Sequence, residues 1–159
     1  MNKKTLKDLD VKGKKVLVRV DFNVPLSKED RSKIADDSRI RAALPTIDYL
    51  LENGAKVILI SHLGRPGGEA NQEFTLKPVA NWLSNHYGEK FEFLAADEVV
   101  NEDVKEKVNE LKDSELALLE NTRFVAGETK NDEAFAKELA SLADLYVNCL
   151  LYTSPSPRD

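Results

Sequence analysis

The sequence has little of what redox, metal-binding and membrane proteins need. It contains one cysteine, Cys149, and two histidines, His62 and His86, among 159 residues. A single cysteine excludes an internal disulfide, and so few ligands exclude a typical zinc cluster. No apolar run approaches the about 20 residues that cross a membrane, and the start MNKKTLKDLD lacks the apolar core of a signal peptide. We therefore expect a cytoplasmic protein without redox or transition-metal chemistry.

Three common catalytic motifs are also missing. No G-x-G-x-x-G follows the first apolar run, no G-x-x-x-x-G-K-[ST] occurs in the chain, and no G-x-S-x-G presents a serine nucleophile. These absences disfavour dinucleotide dehydrogenases, P-loop enzymes and serine hydrolases. The net charge of -5, with both signs interspersed, leaves no basic stripe for nucleic acid. A cationic site, if there is one, must be local.

Short β-rich runs alternate with segments of helical period. The runs are KVLVRV, KVILI, FEFLA, ELALL and DLYVN. This alternation predicts a parallel sheet, because parallel strands are joined by right-handed helical crossovers that cover both faces. The expected fold is therefore an α/β doubly wound parallel sheet with helices on both faces, a Rossmann-like three-layer domain. In such folds ligands bind beyond the carboxyl ends of the strands.

The first predicted crossover helix carries two residues with special backbone requirements. Gly54 stands where a left-handed residue would end the helix. Pro45 lacks a backbone donor, so it either kinks the helix or begins its regular part. One apolar face follows helical spacing through Ile40, Ala43, Leu44, Ile47 and Leu51.

Polar residues follow three of the predicted strands. The exits read DFNVP from Asp21, SHLGRPGG from Ser61, and ENTR from Glu120. Arg65 and Arg123 lie just past strand ends, and Arg39 lies near the start of the helix after the first exit. A planar guanidinium forms two parallel hydrogen bonds to a phosphate or carboxylate. The convergence of three arginines at one edge predicts an anionic substrate.

Each of these residues also has a structural interpretation. A lone arginine usually makes a weak surface ion pair. His62 is as readily a structural histidine as a ligand, although the neighbouring Gly64 and Arg65 favour function. Asp21 and Asn23 could equally serve to shape the turn before Pro25, and the local sequence leaves both interpretations open.

Four segments of the sequence resemble a known family. The segments VLVRVDFNVPL, DDSRIRAALPTIDYLLENGAKVILISHLGRP, LLENTRF and LASLADLYVN occur in order and are similar to the N-terminal domain of phosphoglycerate kinases. The resemblance runs from about Leu6 to Asn148. RVDFNVP and SHLGRP are its most specific parts.

The resemblance implies a glycolytic phosphotransferase. Such enzymes move a phosphoryl group between 1,3-bisphosphoglycerate and magnesium ADP, giving 3-phosphoglycerate and ATP, and they are usually monomers. Their N-terminal domain binds the phosphoglycerate, and their C-terminal domain binds the nucleotide. By motif, the substrate-binding residues would be Asp21, Asn23, Arg39, His62, Leu63, Gly64, Arg65 and Arg123. Arg39 would also be catalytic, because it would stabilise the transferring phosphoryl group after domain closure.

The resemblance ends at Cys149. Residues 1–148 are expected to form an incomplete phosphoglycerate-binding domain, so the fold should be incomplete at its C-terminus. Residues 149–159 read as a Ser/Pro-rich tail foreign to the family. The chain is thus interpreted as a fragment that binds no Mg-ATP or Mg-ADP and is inactive alone. The alternative is a module that binds a small phosphorylated acid without catalysis. A purely structural role explains the arginine-bearing exits poorly.

Overall fold

The computed structural model describes residues 10–27, 29–30, 33–62, 75–96, 99–122 and 133–148. Five strands alternate with four helices in this part of the chain. The strands are β1 (Lys15–Arg19), β2 (Lys56–Ile60), β3 (Phe91–Leu94), β4 (Leu116–Leu119) and β5 (Leu145–Asn148). The helices are α1 (Ser38–Glu52), α2 (Lys77–Tyr87), α3 (Glu102–Asn109) and α4 (Glu133–Ala140). All five predicted strands are confirmed.

The strands form one parallel sheet in the order β3-β4-β2-β1-β5. From β1 the chain moves to its neighbour β2 and on to the edge strand β3. It then reverses direction through β4 and crosses to β5 at the opposite edge. With right-handed crossovers, this reversal places α1 and α2 on one face and α3 and α4 on the other.

The buried side chains confirm this two-faced arrangement. One cluster joins Val16, Val18 and Leu59 of the strands to Ile40 and Ile47 of α1, together with α2 residues. A second cluster joins the alternate strand positions to the opposite helices; it includes Leu17, Ile58, Ala117, Val104, Val108, Leu139 and Leu142. Because both faces are covered, the central strands are nearly continuous apolar runs, as KVILI and LALL show. The predicted doubly wound three-layer fold is confirmed.

Helix α1 resolves the two sequence questions about its glycine and proline. Gly54 has a φ of +81° and lies just past the helix, as predicted. The helix begins at Ser38, well before Pro45, so the interpretation of Pro45 as the start of the regular part is wrong. Pro45 lies on an exposed position inside the helix. Packing of Ile40, Ile47 and the rest of the buried face stabilises the helix despite the missing donor.

The polar strand exits lie at the carboxyl edge of the sheet. After β1 the chain passes through residues 20–25, and an isolated antiparallel bridge joins Leu26 to Ile34 before α1 begins. In the parts of the chain that the structure describes, no helix combines the length and apolar character needed to span a membrane.

Helices α1 and α2 are joined by a hydrogen bond from the Tyr87 hydroxyl to Asp48 Oδ1, at 2.7 Å. Burial, followed by the hydrogen bond to Asp48 and its charge, raises the pKa of Tyr87 well above its usual value. The folded chain therefore keeps a proton that the unfolded chain releases near pH ~10.

This retained proton predicts an alkaline loss of stability. The contribution of Tyr87 to the free energy of unfolding should be complete below a pH of about 10 and should fall as the pH rises further, because only the unfolded state then releases the proton. Urea unfolding between pH 9 and 11.5 should show a shallower decline in Tyr87→Phe than in the unsubstituted chain. Tyr146→Phe, which removes a hydroxyl from an exposed tyrosine, is the control. Parallel declines in all three proteins would contradict the prediction.

Candidate functional site

Arg39 and the exit of β1 form the best-defined part of the site. Arg39 Nη1 donates to Asp21 Oδ1 at 3.2 Å and to the backbone oxygen of Asn23 at 2.9 Å. Asp21 Oδ1 also accepts from the Asn23 backbone N–H at 3.2 Å, which fixes the turn. The structure thus shows that one oxygen of Asp21 both shapes the turn and contacts Arg39.

This part of the site is open to solvent. The side chain of Arg39 is 51% exposed, and that of Asp21 is 38% exposed. An exposed ion pair of this kind contributes only about 0–1 kcal/mol. The guanidinium can therefore exchange its present partners for a phosphate or carboxylate at little cost.

Arg39 reaches this position because it lies in the first turn of α1. Asp36 Oδ1 accepts from the Ser38 backbone N–H at 2.9 Å, so it satisfies a donor at the start of the helix. This hydrogen bond is the main reason why the pKa of Asp36 lies below its usual value. Arg39 is the second residue of the helix, and its position depends on how this first turn is held.

Ser61 ties three strand exits together. Its Oγ accepts from the Phe22 backbone N–H at 2.9 Å after β1 and donates to its own neighbour, the His62 carbonyl, at 3.0 Å. Its carbonyl accepts from the backbone N–H and the hydroxyl of Thr122 after β4, at 3.0 and 3.1 Å. Ser61 is 1% exposed, so these bonds are shielded from water. The exits of β1, β2 and β4 are therefore held as one unit.

Glu120 performs a similar task at the exit of β4. It is 3% exposed, and Oε1 accepts from the backbone N–H groups of Leu76 and Asn121, both at 2.8 Å. Oε2 accepts from the Thr75 hydroxyl at 2.6 Å. Three donors compensate for the burial of the carboxylate. These hydrogen bonds hold the beginning of α2 against the exit of β4.

The structure brings together part of the predicted site. Asp21, Asn23 and Arg39 are in direct contact, and His62 follows the strand next to β1. Leu63, Gly64, Arg65 and Arg123 lie outside the described residues, so the predicted convergence of three arginines stays a prediction.

Sequence reasoning assigned no role to Ser61, Glu120 or Thr122. All three are almost completely buried, which is unusual for polar residues. A usable signal was present, because each follows within three residues of an apolar strand that is covered on both faces. A polar side chain in such a place must find partners within the protein, and those partners are the neighbouring exits.

The described part of the site presents groups that can position an anion. No group of three or more histidine, cysteine, aspartate or glutamate side chains in the described ranges could hold a metal ion. What the edge of the sheet offers is a solvent-accessible guanidinium beside oriented polar groups. Such a group can bind and orient a phosphate or a carboxylate.

The partners of Glu120 predict how the site responds to its removal. Glu120→Ala leaves two buried backbone donors without acceptors, and each costs about 1–3 kcal/mol. We expect a free energy of unfolding lower by roughly 2–5 kcal/mol. Glu120→Gln keeps the shape and one acceptor oxygen and should lose less than half as much. Urea denaturation measures both. Equal losses for the two variants would contradict the proposed division of the bonds.

Comparison with known sequences identifies relatives over nearly the whole chain. A family model described as "Phosphoglycerate kinase" matches residues 6–149. The phosphoglycerate kinase of Finegoldia magna is 55% identical over 154 residues, which cover 97% of this chain and 38% of that protein. The phosphoglycerate kinase of Clostridium tetani is 56% identical over 147 residues, which cover 92% of this chain and 36% of that protein. The chain thus spans less than two fifths of the length of these curated relatives.

Solved structures agree with the sequence matches. Phosphoglycerate kinase from Coxiella burnetii has a TM-score of 0.74 at 35% identity, over 89% of this chain and 34% of that structure. The enzyme from Pyrococcus horikoshii has a TM-score of 0.76 at 34% identity, over 90% of this chain and 35% of that structure. Both sequence and fold lead to the same conclusion: the chain belongs to the phosphoglycerate kinase family.

Proposed function

We propose that this chain supplies the phosphoglycerate-binding half of a phosphoglycerate kinase. The complete enzyme would transfer a phosphoryl group between 1,3-bisphosphoglycerate and ADP to give 3-phosphoglycerate and ATP. Residues 1–148 would form the substrate-binding domain, and residues 149–159 would lie outside it. Support comes from the family membership and from the arrangement of Arg39 at the carboxyl edge of the sheet.

The contact of Arg39 with the β1 exit carries the proposal. Phosphoryl transfer depends on in-line positioning and charge neutralisation and needs no protein nucleophile. A solvent-accessible guanidinium fits that requirement, because it can bond the substrate carboxyl and then neutralise charge on the moving phosphoryl group. Arg39 already points towards the polar exit, where Asp21 Oδ1 and the Asn23 carbonyl hold it.

The other residues would divide the remaining parts of the substrate. In this proposal Asp21 and Asn23 bond the glycerate hydroxyl and nearby oxygens. The segment His62, Leu63, Gly64 and Arg65, together with Arg123, binds the phosphate that is not transferred. Ser61 and Glu120 touch no substrate and maintain the spacing of these exits.

The nucleotide would bind elsewhere in the protein. Mg-ATP or Mg-ADP would supply or accept the phosphoryl group, but the described residues include no cluster that fits a metal ion. The relatives are more than twice as long as this chain, which leaves ample length for a nucleotide domain. We expect the chain alone to bind substrate without turnover, and the complete protein to be a cytoplasmic monomer.

Substrate binding by the chain tests this proposal. Titration of the ¹⁵N-labelled chain with 3-phosphoglycerate should shift amide signals of the β1 and β2 exits. Arg39→Ala and Arg65→Ala should each weaken binding about 10- to 100-fold, since each loses a charge-assisted bond to the ligand. Lys105→Ala is the matched control, because it removes one partly exposed cation from α3, on the other side of the sheet. Binding that is unchanged in both arginine variants would refute the assigned site.

Turnover separates the kinase from the non-catalytic binding module. Protein purified whole from its source should form ATP from ADP and 1,3-bisphosphoglycerate if the proposal is correct. Binding of 3-phosphoglycerate by a whole protein that shows no phosphoryl transfer would instead support the module.

A further inference from the structure

Asp37 occupies the N-cap position of α1 but does not cap the helix. Aspartate is among the residues most favoured at this position, because its carboxylate accepts from the free N–H groups of the first turn. Here the side chain makes no such bond. Asp36, one residue earlier, accepts from the Ser38 N–H instead. The carboxylate of Asp37 is therefore engaged elsewhere.

The partners of Asp37 lie on both helices of this face. Asp37 Oδ2 accepts from the indole Nε1 of Trp82 on α2 at 3.0 Å. The same oxygen accepts from Nε of Arg41, one turn along α1, at 3.0 Å. The Arg41 guanidinium also lies over the Trp82 ring, with its carbon 5.3 Å from the ring centroid. Asp37, Arg41 and Trp82 thus form a closed set of three contacts, which we call the Asp37 anchor.

Trp82 provides a rigid attachment for this anchor. Its ring packs against the large core cluster and stacks on His86, with 5.2 Å between the centroids and 21° between the planes. A side chain held on two sides has little rotational freedom left to lose when it donates a hydrogen bond. The first turn of α1 is consequently fixed to the body of α2, although it lies at the end of its own helix.

We propose that Asp37 is a positioning residue for Arg39, acting through its bond to Trp82. This inference rests on the proposed function of Arg39. Arg39 follows Asp37 by two residues, so the anchor fixes its backbone while Asp21 and the Asn23 carbonyl hold its guanidinium. Helix ends fray when they are not held. Without the anchor, the first turn would sample more positions, and the arginine would meet its ligand in the required geometry less often.

The first readout needs no ligand. In the unliganded chain, NMR relaxation measures the ¹⁵N order parameter of the Arg39 side-chain Nε–H, which we call the order of Arg39. The signal is assigned through its loss in Arg39→Lys. Trp82→Phe removes the indole donor and keeps an aromatic ring, and Asp37→Ala removes the acceptor. Both should lower the order of the Arg39 side chain. Unchanged order in both variants would overturn the proposal, whatever the substrate.

Tyr87→Phe is the matched control for this readout. It also removes one hydrogen bond between α2 and α1, but at Asp48, about two and a half turns away from Arg39. It should lower the thermal midpoint in the same way as Trp82→Phe and leave the order of Arg39 unchanged. Equal loss of Arg39 order in Tyr87→Phe would show a general effect of helix packing, and the assignment to Asp37 would fail.

The second readout is a double-mutant cycle on 3-phosphoglycerate affinity. Trp82→Phe should weaken binding about 3- to 10-fold, the usual effect of one hydrogen bond. In an Arg39→Ala background the same change should have no further effect, because the anchor acts only through Arg39. Additive losses would overturn the proposal. Absence of binding by the unsubstituted chain would instead refute the proposed function, and the Arg39 order would still decide the role of Asp37.

Discussion

The parallel sheet is covered by apolar helices on both faces, and this constraint determines where polar chemistry can occur. A buried parallel strand has no solvent-facing side, so its residues alternate between two apolar layers. In the central strands β1, β2 and β4, polar side chains are then confined to the strand ends. Strands β1, β2 and β4 are neighbours in the sheet, so their carboxyl ends leave it side by side. The site is a consequence of strand order more than of any single motif.

The segments that leave neighbouring strands must also bond to one another, because their buried backbone N–H and C=O groups need hydrogen-bond partners. Ser61 and Glu120 meet that need with few atoms. One serine joins three exits through its hydroxyl and carbonyl, and one carboxylate satisfies donors from two segments. Leaving any of these donors unpaired would cost about 1–3 kcal/mol. Their burial separates the scaffold of the site from the exposed Arg39, which remains available to a ligand.

The sequence was sufficient to predict the strands, the helices on both faces of the sheet and the left-handed glycine at the end of α1. Periodicity and the left-handed requirement of Gly54 are local signals, and the apolar runs are strong. The role of Pro45 was not predictable, because tertiary packing of α1 outweighs the missing backbone donor. The positions of Ser61 and Glu120 after covered strands signalled burial, but their partners were not predictable, since they lie far away in the chain. For Asp21, the local sequence offered a turn or a site, and the structure shows that one carboxylate oxygen bonds both the turn and Arg39.

Arg39 lies in a helical turn that is bonded to α2, while its guanidinium is held by an exposed ion pair, and this combination would suit the ligand-binding role proposed for it. Its exposed pair with Asp21 contributes about 0–1 kcal/mol, so a phosphate or carboxylate oxygen can replace the Asp21 carboxylate almost without penalty. A deeply buried pair would resist that exchange, because removing one partner leaves an uncompensated charge. The backbone of this first turn of α1 is held more firmly, because Asp37 joins it to α2 through Trp82. In the proposed site, the helix end would therefore fix the position of Arg39, and the exposed guanidinium would adapt to the ligand.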